Sequence, residues 1–418
     1  MRIALPYFPG PLVDPSGGGT SKLFEILREG FSVRGHEVFI IDFSASRIDP
    51  KYGIQSNYVH IVSGIGIEAS AAKLFIEFCE IMKIDVIIPL NNTVFTSSIP
   101  CLPFTTKIVM HCNSSIPHAY HHVTRFSSHV SKILVGSPRE LSDLIDSWQV
   151  PKQKITLVPY GIEPLTESLK REDYEEPLHL TYVGRIEYGS KGTDVLPKIL
   201  KYLVASGLQF DLEIIGTGPD EKHLKASLDS FKGYTEFAGS ISNSEVLKSL
   251  ARKHILIMPS RVEGFGFVAI EAMSLGVVPI VSKIPGVLDW VVQDGRTGFV
   301  RSREKPREIA EAILELAHDR ELLKRMSQNG YYDVLERFSL KAMIEIHVIA
   351  CQEAINEIQS GRPDPLDFSF WHPFLEWNPS VSYKIKWRVK SLLSKLFYCK
   401  RWGFHGQLVT KLARAPRS

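Results

Sequence analysis

Two absences narrow the class of this 418-residue protein, which has few cysteines and no long apolar run. The five cysteines are odd in number and lack paired spacing, which argues against a disulfide framework or a zinc site and favours reduced thiols. No run of about eighteen apolar residues occurs, so no transmembrane helix is expected. Pro6 and Pro9 interrupt anything like a signal-peptide core. We therefore expect a cytoplasmic protein.

The composition that remains is typical of a globular protein, with 44% hydrophobic and 23% charged residues. The chain is too long for one ordinary core, so two domains are expected. The net charge of +3 conceals an asymmetry, because residues 381–418 carry ten Lys or Arg and no acidic residue. The rest of the chain has 39 basic and 46 acidic residues. The body is therefore mildly acidic and the tail strongly basic.

The chain is organised around residues 255–286. The apolar run Ile255–Met258 has the length of a buried parallel strand, and residues 268–275 follow a helical pattern. Between them, Glu263 opens a loop with two glycines, whose amides can approach a ligand closely. Glu271 lies eight positions later in an otherwise apolar helix, where burial without a partner is costly. Ligands of open parallel sheets bind beyond the carboxyl ends of such strands, which makes this loop a candidate site.

A second candidate site follows the strand predicted at residues 178–183. Arg185 and Lys191 lie six residues apart on a glycine-bearing loop, where they can close on a diphosphate from two sides. The alternative is a pair of exposed basic residues in a surface loop.

Together these segments resemble a known family. Glu263, seven residues and Glu271 resemble the signature of the retaining glycosyltransferases of GT-B family 4, and the G-R-x(5)-K-G segment resembles that family's pyrophosphate clamp. The resemblance covers about residues 1–358 and is most specific over 178–300. Tyr160 is a departure, because the family usually carries Asn there.

The resemblance implies an α/β GT-B fold, in which two Rossmann-like parallel-sheet domains face each other across a cleft. Residues 1–165 would form the acceptor-side domain and 166–339 the nucleotide-sugar-binding domain. Residues 340–358 would cross back to the first domain, and residues 361–418 would form an aromatic and basic extension.

The resemblance also assigns roles to single residues. Arg185 and Lys191 would stabilise the leaving diphosphate, Glu271 would accept hydrogen bonds from the ribose, and Glu263 would hold the donor sugar. His111, at the end of a predicted strand, would lie near that sugar, although a lone histidine is more often structural. The predicted catalytic residues are Glu263, His111, Arg185 and Lys191. The full set of predicted donor-binding residues is Gly18, Gly19, Arg185, Lys191, Gly216, Gly218, Ser240, Glu263, Gly264, Phe265, Gly266, Phe267 and Glu271.

The glycine-rich turns lack the G-x-G-x-x-G pattern, so a dinucleotide fingerprint is absent. Gly18 and Gly19 either present backbone to the donor phosphate or acceptor, or belong to a flexible surface loop. Gly216 and Gly218 would let the nucleotide approach the sheet edge, and Ser240 would lie against the base.

The function that follows is transfer of a hexose-type sugar from a nucleotide-diphospho-sugar to a hydroxyl with retention. The expected acceptor is a lipid-linked glycan or a cell-surface polysaccharide precursor. We expect no cofactor and no metal, because the basic clamp can replace a metal and no D-x-D-like acid pair is near the site. A GT-B epimerase or phosphorylase, or a non-catalytic nucleotide-sugar-binding subunit of a membrane assembly, is the alternative.

The basic tail predicts one further partner. Apolar residues of 384–404 share one helical face with Lys and Arg around it, which favours peripheral binding to an anionic membrane on its inner face. Packing on the body is the alternative. Nucleic acid is not expected, because no binding motif accompanies the charge.

Overall fold

The computed structural model describes residues 1–7, 19–42, 58–61, 68–89, 93–163 and 177–357. Gly18, the predicted domain boundary at residues 165 and 166, and the extension 361–418 lie outside the described residues. Both sheets described below belong to one compact unit.

In the described part of the chain, the first sheet has seven strands, all paired in parallel. They are β1 (Arg2–Tyr7), β2 (Glu37–Asp42), β3 (Tyr58–His60), β4 (Val86–Ile87), β5 (Lys107–Cys112), β6 (Lys132–Val135) and β7 (Ile155–Leu157). The accompanying helices are α1 (Gly19–Val33), α2 (Glu68–Met82), α3 (Thr93–Ser98), α4 (Pro117–Thr124) and α5 (Pro138–Ser142). Helix α1 buries Leu23, Phe24, Leu27 and Phe31, as their helical spacing predicts.

The second sheet has six described strands, again all parallel. They are β8 (Leu178–Val183), β9 (Phe210–Ile215), β10 (Thr235–Gly239), β11 (Ile255–Met258), β12 (Val278–Ser282) and β13 (Phe299–Arg301). The helices are α6 (Tyr188–Lys191), α7 (Leu196–Ala205), α8 (Glu221–Ser227), α9 (Asn243–Leu250), α10 (Phe267–Ser274), α11 (Leu288–Val291), α12 (Pro306–His318), α13 (Arg320–Arg337) and α14 (Leu340–Asn356).

The two sheets share one strand order. The first runs β3-β2-β1-β4-β5-β6-β7 and the second β10-β9-β8-β11-β12-β13. In each sheet, successive strands are added on one side of the first strand and then on its other side, so the strand order reverses there. Such a reversal opens a crevice at the carboxyl ends of the strands, where open α/β sheets bind ligands. In the second sheet this point lies between β8 and β11.

Helix α14 leaves the second sheet and packs against β5 and α1 of the first. Its start is tied to the segment that follows β7, because Ile162 N donates to Phe338 O (3.0 Å) and Leu340 N donates to Ile162 O (3.3 Å). Gly161 allows this approach, since a Cβ there would lie 2.4 Å from Ser339 O. We call the first sheet, its helices and α14 the first lobe, and residues 177–337 the second lobe.

Candidate active site

A cavity of about 690 Å³ lies between the lobes in the described structure. The last residues of β8, β9 and β11 line it, namely Val183, Ile215 and Met258. The first lobe contributes Lys22 from α1 and Asn113 from the segment after β5. The cavity therefore occupies the crevice that the strand order of the second sheet predicts.

The predicted second-lobe residues come together here. Arg185, Lys191, Glu263 and Glu271 all line the cavity. So do the remaining predicted residues of this lobe, which are Gly216, Gly218, Ser240, Gly264, Phe265, Gly266 and Phe267. Gly19 begins α1.

Lys191 and Glu263 form an ion pair inside the cavity, with 2.6 Å between Nζ and Oε1. Ser260 Oγ donates to the same oxygen at 2.7 Å, which fixes the orientation of the carboxylate. Their two loops touch closely, because Gly192 adopts φ +65° and a Cβ there would lie 2.0 Å from Pro259 O. The glycine after Lys191 therefore lets the basic loop reach the acidic one.

The loop that carries Arg185 packs against the turn after β9. Gly216 adopts φ +128°, and a Cβ at this position would lie 2.0 Å from Gly184 O. A Cβ at Gly218 would lie 2.2 Å from Ile186 O. These glycines line the cavity as predicted, but they are also required by contact between two backbone segments. The Arg185 side chain itself is exposed.

The loop before α10 is held by aromatic packing. Phe265 is buried against Trp290 and Phe338, with ring centroids 6.1 Å and 5.7 Å away. Phe267 stacks on Tyr160 with centroids 4.9 Å apart and the rings 7° from parallel. The phenylalanines thus anchor the glycine loop in the core.

Tyr160 and Asn113 are cavity residues that the sequence analysis did not assign to the site. Burial raises the pKa of Tyr160, so its hydroxyl stays protonated, and it donates to Asn113 Oδ1 at 2.9 Å. The ring that departs from the family pattern therefore braces the first lobe against the loop of the second. Only its unusual identity in that segment could have indicated a distinct role.

Glu271 is 4% exposed and forms an ion pair with Lys22 of the first lobe. Lys22 Nζ also lies 5.9 Å from the centroid of the Phe267 ring. Lys22 is a site residue that the sequence pattern did not predict, because nothing in a single basic residue on an amphipathic helix indicates a partner 249 positions away.

His111 lies in β5, next to helix α14. It is 2% exposed, is not among the cavity-lining residues, and stacks on His347 of α14 with ring centroids 4.9 Å apart. Its Nε2 lies 2.9 Å from Nε2 of His347, whose Nδ1 donates to Met343 O at 2.7 Å. Burial lowers the pKa of both histidines, that of His347 to about 4, so both rings are neutral.

The hydrogen bonds of this pair fix its tautomers. A carbonyl only accepts, so Nδ1 of His347 carries the proton and its Nε2 accepts from His111. The alternative raised by the sequence, a structural histidine, is the one that this geometry supports.

The described residues contain no group of three or more His, Cys, Asp or Glu side chains placed to hold a metal ion. None of their helices has both the length and the apolar character needed to cross a membrane.

The second lobe is the part of the chain that most resembles known proteins. Residues 166–333 match the family of glycosyl transferases group 1. An uncharacterized glycosyltransferase of Methanocaldococcus jannaschii is 30% identical over 40% of this chain and 45% of its own. The capsular polysaccharide biosynthesis glycosyltransferase CapM of Staphylococcus aureus is 29% identical over 48% of this chain and 56% of its own. The matches thus span about half the length of these curated relatives.

A solved structure extends the likeness to both lobes. HepE from Anabaena, crystallised in complex with UDP, superposes with a TM-score of 0.68 over 84% of this chain and 99% of its own. Its sequence identity is 15%, so the likeness concerns the fold. It confirms the predicted GT-B architecture of two parallel-sheet domains.

Proposed function

We propose that this protein is a retaining glycosyltransferase that moves a hexose-type sugar from a nucleotide-diphospho-sugar to an acceptor hydroxyl. The observation that carries the proposal is the convergence of Arg185, Lys191, Glu263 and Glu271 in one cavity between two lobes. The group 1 match over residues 166–333 supports the same activity.

The cavity suits the departure of a diphosphate. Negative charge develops on the leaving group as its bond to the anomeric carbon breaks, and Arg185 and Lys191 stabilise that charge. The amides of the Gly264–Phe267 loop and the N-terminus of α10 add to the stabilisation. Two cations of this kind can take the place of a metal ion, and we propose that transfer requires none. Activity that disappears with EDTA and returns with a divalent cation would contradict this part.

The two carboxylates would bind the polar hydroxyls of the donor. Glu263 is oriented by Ser260 and Lys191, which leaves its other oxygen to accept from the sugar. Glu271 accepts from the ribose hydroxyls, as the family resemblance implies.

Retention would follow from attack by the acceptor on the same face as the departing diphosphate, with the leaving phosphate taking the acceptor's proton. Neither carboxylate then needs to act as a nucleophile. NMR of the product decides the point, because an inverted anomer or a trapped glycosyl-enzyme is incompatible with this route.

We propose a lipid-linked glycan or a polysaccharide precursor as the acceptor. Support comes from the name of CapM, which places that relative in capsular polysaccharide biosynthesis. The basic residues of 384–404 would hold the enzyme on the inner face of an anionic membrane. Sedimentation with anionic and with neutral vesicles tests this, since equal binding to both would argue against a charge-dependent contact.

Thermal-shift measurements against nucleotide-sugars test the donor class. A ligand at about 100 times its dissociation constant adds about 2.7 kcal/mol to the free energy of unfolding. We expect Lys191→Met to lower kcat/KM by about 10²-fold to 10³-fold, in line with the loss of one preorganised charge-stabilising group. Glu263→Gln should also lower kcat/KM, because it removes the charged acceptor for the sugar hydroxyls and the partner of Lys191.

Lys225→Met and Glu221→Gln are matched controls, because that pair forms a similar 2.7 Å contact on α8 outside the cavity. If the cavity variants leave the transferase activity of cell extracts unchanged while the purified protein still binds nucleotide-sugar, a non-catalytic binding subunit is favoured. Consumption of the donor without an acceptor would instead favour an epimerase.

A further inference from the structure

The cavity contains a cation that the proposed diphosphate clamp does not use. Among the described residues that line it, three are cationic, Lys22, Arg185 and Lys191, and two are carboxylates, Glu263 and Glu271. Arg185 and Lys191 belong to the second lobe, whereas Lys22 comes from α1 of the first. Lys22 is therefore the only charged residue that the described part of the first lobe contributes to the cavity.

We propose that Lys22 is a third cation of the donor diphosphate site, an inference that rests on the proposed function. Glu271 holds it across the cleft until the ribose of the donor occupies that carboxylate. Lys22 then turns its charge to the diphosphate and so couples donor binding to contact between the lobes.

The burial of the pair supports an exchange of partners. Glu271 is 4% exposed, so its charge requires a partner at all times. In the observed state the lysine supplies that partner, and in the proposed state the ribose hydroxyls donate to the carboxylate instead. The Lys22 side chain keeps 23% of its surface exposed and is therefore less confined than the carboxylate it holds.

The direction of approach gives a second argument. Glu271 lies on α10 of the second lobe, and Lys22 reaches it from α1 of the first lobe. Its Nζ lies 5.9 Å from the Phe267 ring, beside the glycine loop whose amides face the donor phosphates in our proposal. A lysine is a compact charge on a flexible stem and can change partners over a few ångströms without movement of the helix.

Calorimetric titration of nucleosides and nucleoside diphosphates separates this role from a purely structural ion pair. The nucleoside diphosphate that binds wild type best and its parent nucleoside are the two probes. We expect Lys22→Met to weaken binding of the diphosphate at least ten-fold more than that of the nucleoside, and Lys22→Arg to retain most of the diphosphate affinity. Arg28→Met, on the same helix and paired with Glu25, should change neither.

An indirect effect is also testable, because Lys22→Met leaves Glu271 without a cation and could repel the diphosphate. The double variant Lys22→Met/Glu271→Gln is compared with Glu271→Gln alone. If Lys22 contacts the diphosphate, the double variant binds it more weakly than the single one. Equal diphosphate affinity in that pair overturns the proposal and leaves Lys22 as a neutralising partner of Glu271.

The same measurements distinguish failure of this inference from failure of the proposed function. If wild type binds a nucleoside diphosphate, Lys191→Met weakens it and Lys22→Met does not, the function stands and the inference falls. If wild type binds none of a panel of nucleoside diphosphates, both fall.

Discussion

The carboxyl ends of two strands, β5 in the first lobe and β9 in the second, differ in how their side chains pack. In the first lobe, His111 near the end of β5 stacks on His347 and both neutral rings are buried, while Asn113 just beyond the strand lines the cavity. In the second lobe, β9 ends at Ile215, and the turn that follows at Gly216 opens into the cavity beside charged groups. The strand order therefore sets where a crevice can form, and the side chains at a strand end decide whether that end is buried or open.

The largest loss of stability is expected at the open end of β9, where the backbone of Gly216 packs against that of Gly184. Gly216→Ala would place a Cβ 2.0 Å from Gly184 O at φ +128°, so we expect it to lower the free energy of unfolding by at least about 3 kcal/mol and to abolish activity. Gly207→Ala is the control. Gly207 also has a positive φ, +76°, but a Cβ there would lie in open space, so only about 1 kcal/mol of backbone strain is expected. Urea unfolding measures both, and equal losses would show that steric contact at β9 is unimportant.

An intermediate effect is expected at the filled end. The pKa of His347 is lowered to about 4 in the folded protein, against about 6.5 when unfolded, so protons favour the unfolded chain between these values. Its contribution to stability is complete above pH 6.5 and is lost as the pH falls toward 4. Between pH 7 and pH 5, wild type should lose about 2 kcal/mol more than His347→Gln, which keeps polar atoms but does not titrate.

That difference is measured by urea unfolding of both proteins at the two pH values. Glu140, whose pKa burial raises to about 8, changes stability in the opposite direction over this range, but it is present in both proteins and cancels. Parallel pH profiles of wild type and His347→Gln would mean that the ring pair is not buried in solution.

The smallest effect is expected at the contact between the two regions. Tyr160→Phe removes the hydroxyl that donates to Asn113 but keeps the ring stacked on Phe267, so we expect a loss of about 1 kcal/mol. Tyr332→Phe, at an exposed ring, should cost close to nothing. If Tyr160→Phe lowers the free energy of unfolding no more than Tyr332→Phe does, the Tyr160 hydroxyl does not contribute to the contact between the lobes.

Local patterns in the sequence were sufficient for much of the fold. Strands β8 and β11 have the predicted bounds, Leu178–Val183 and Ile255–Met258, because each is a short apolar run that ends at glycine or proline. The second-lobe residues converge as predicted, since they sit on loops after neighbouring parallel strands, whose carboxyl ends share one edge of a sheet. Their individual roles remain predictions.

Only the tertiary structure decided the partners that come from far along the chain. Lys22 meets Glu271, and His347 stacks on His111. Neither pairing leaves a periodic or local trace in the sequence, because it depends on how α1 and α14 pack rather than on the residues next to each group. By itself the sequence determined which elements form and where their loops meet, whereas packing between distant elements determined which charges are paired and which rings are buried.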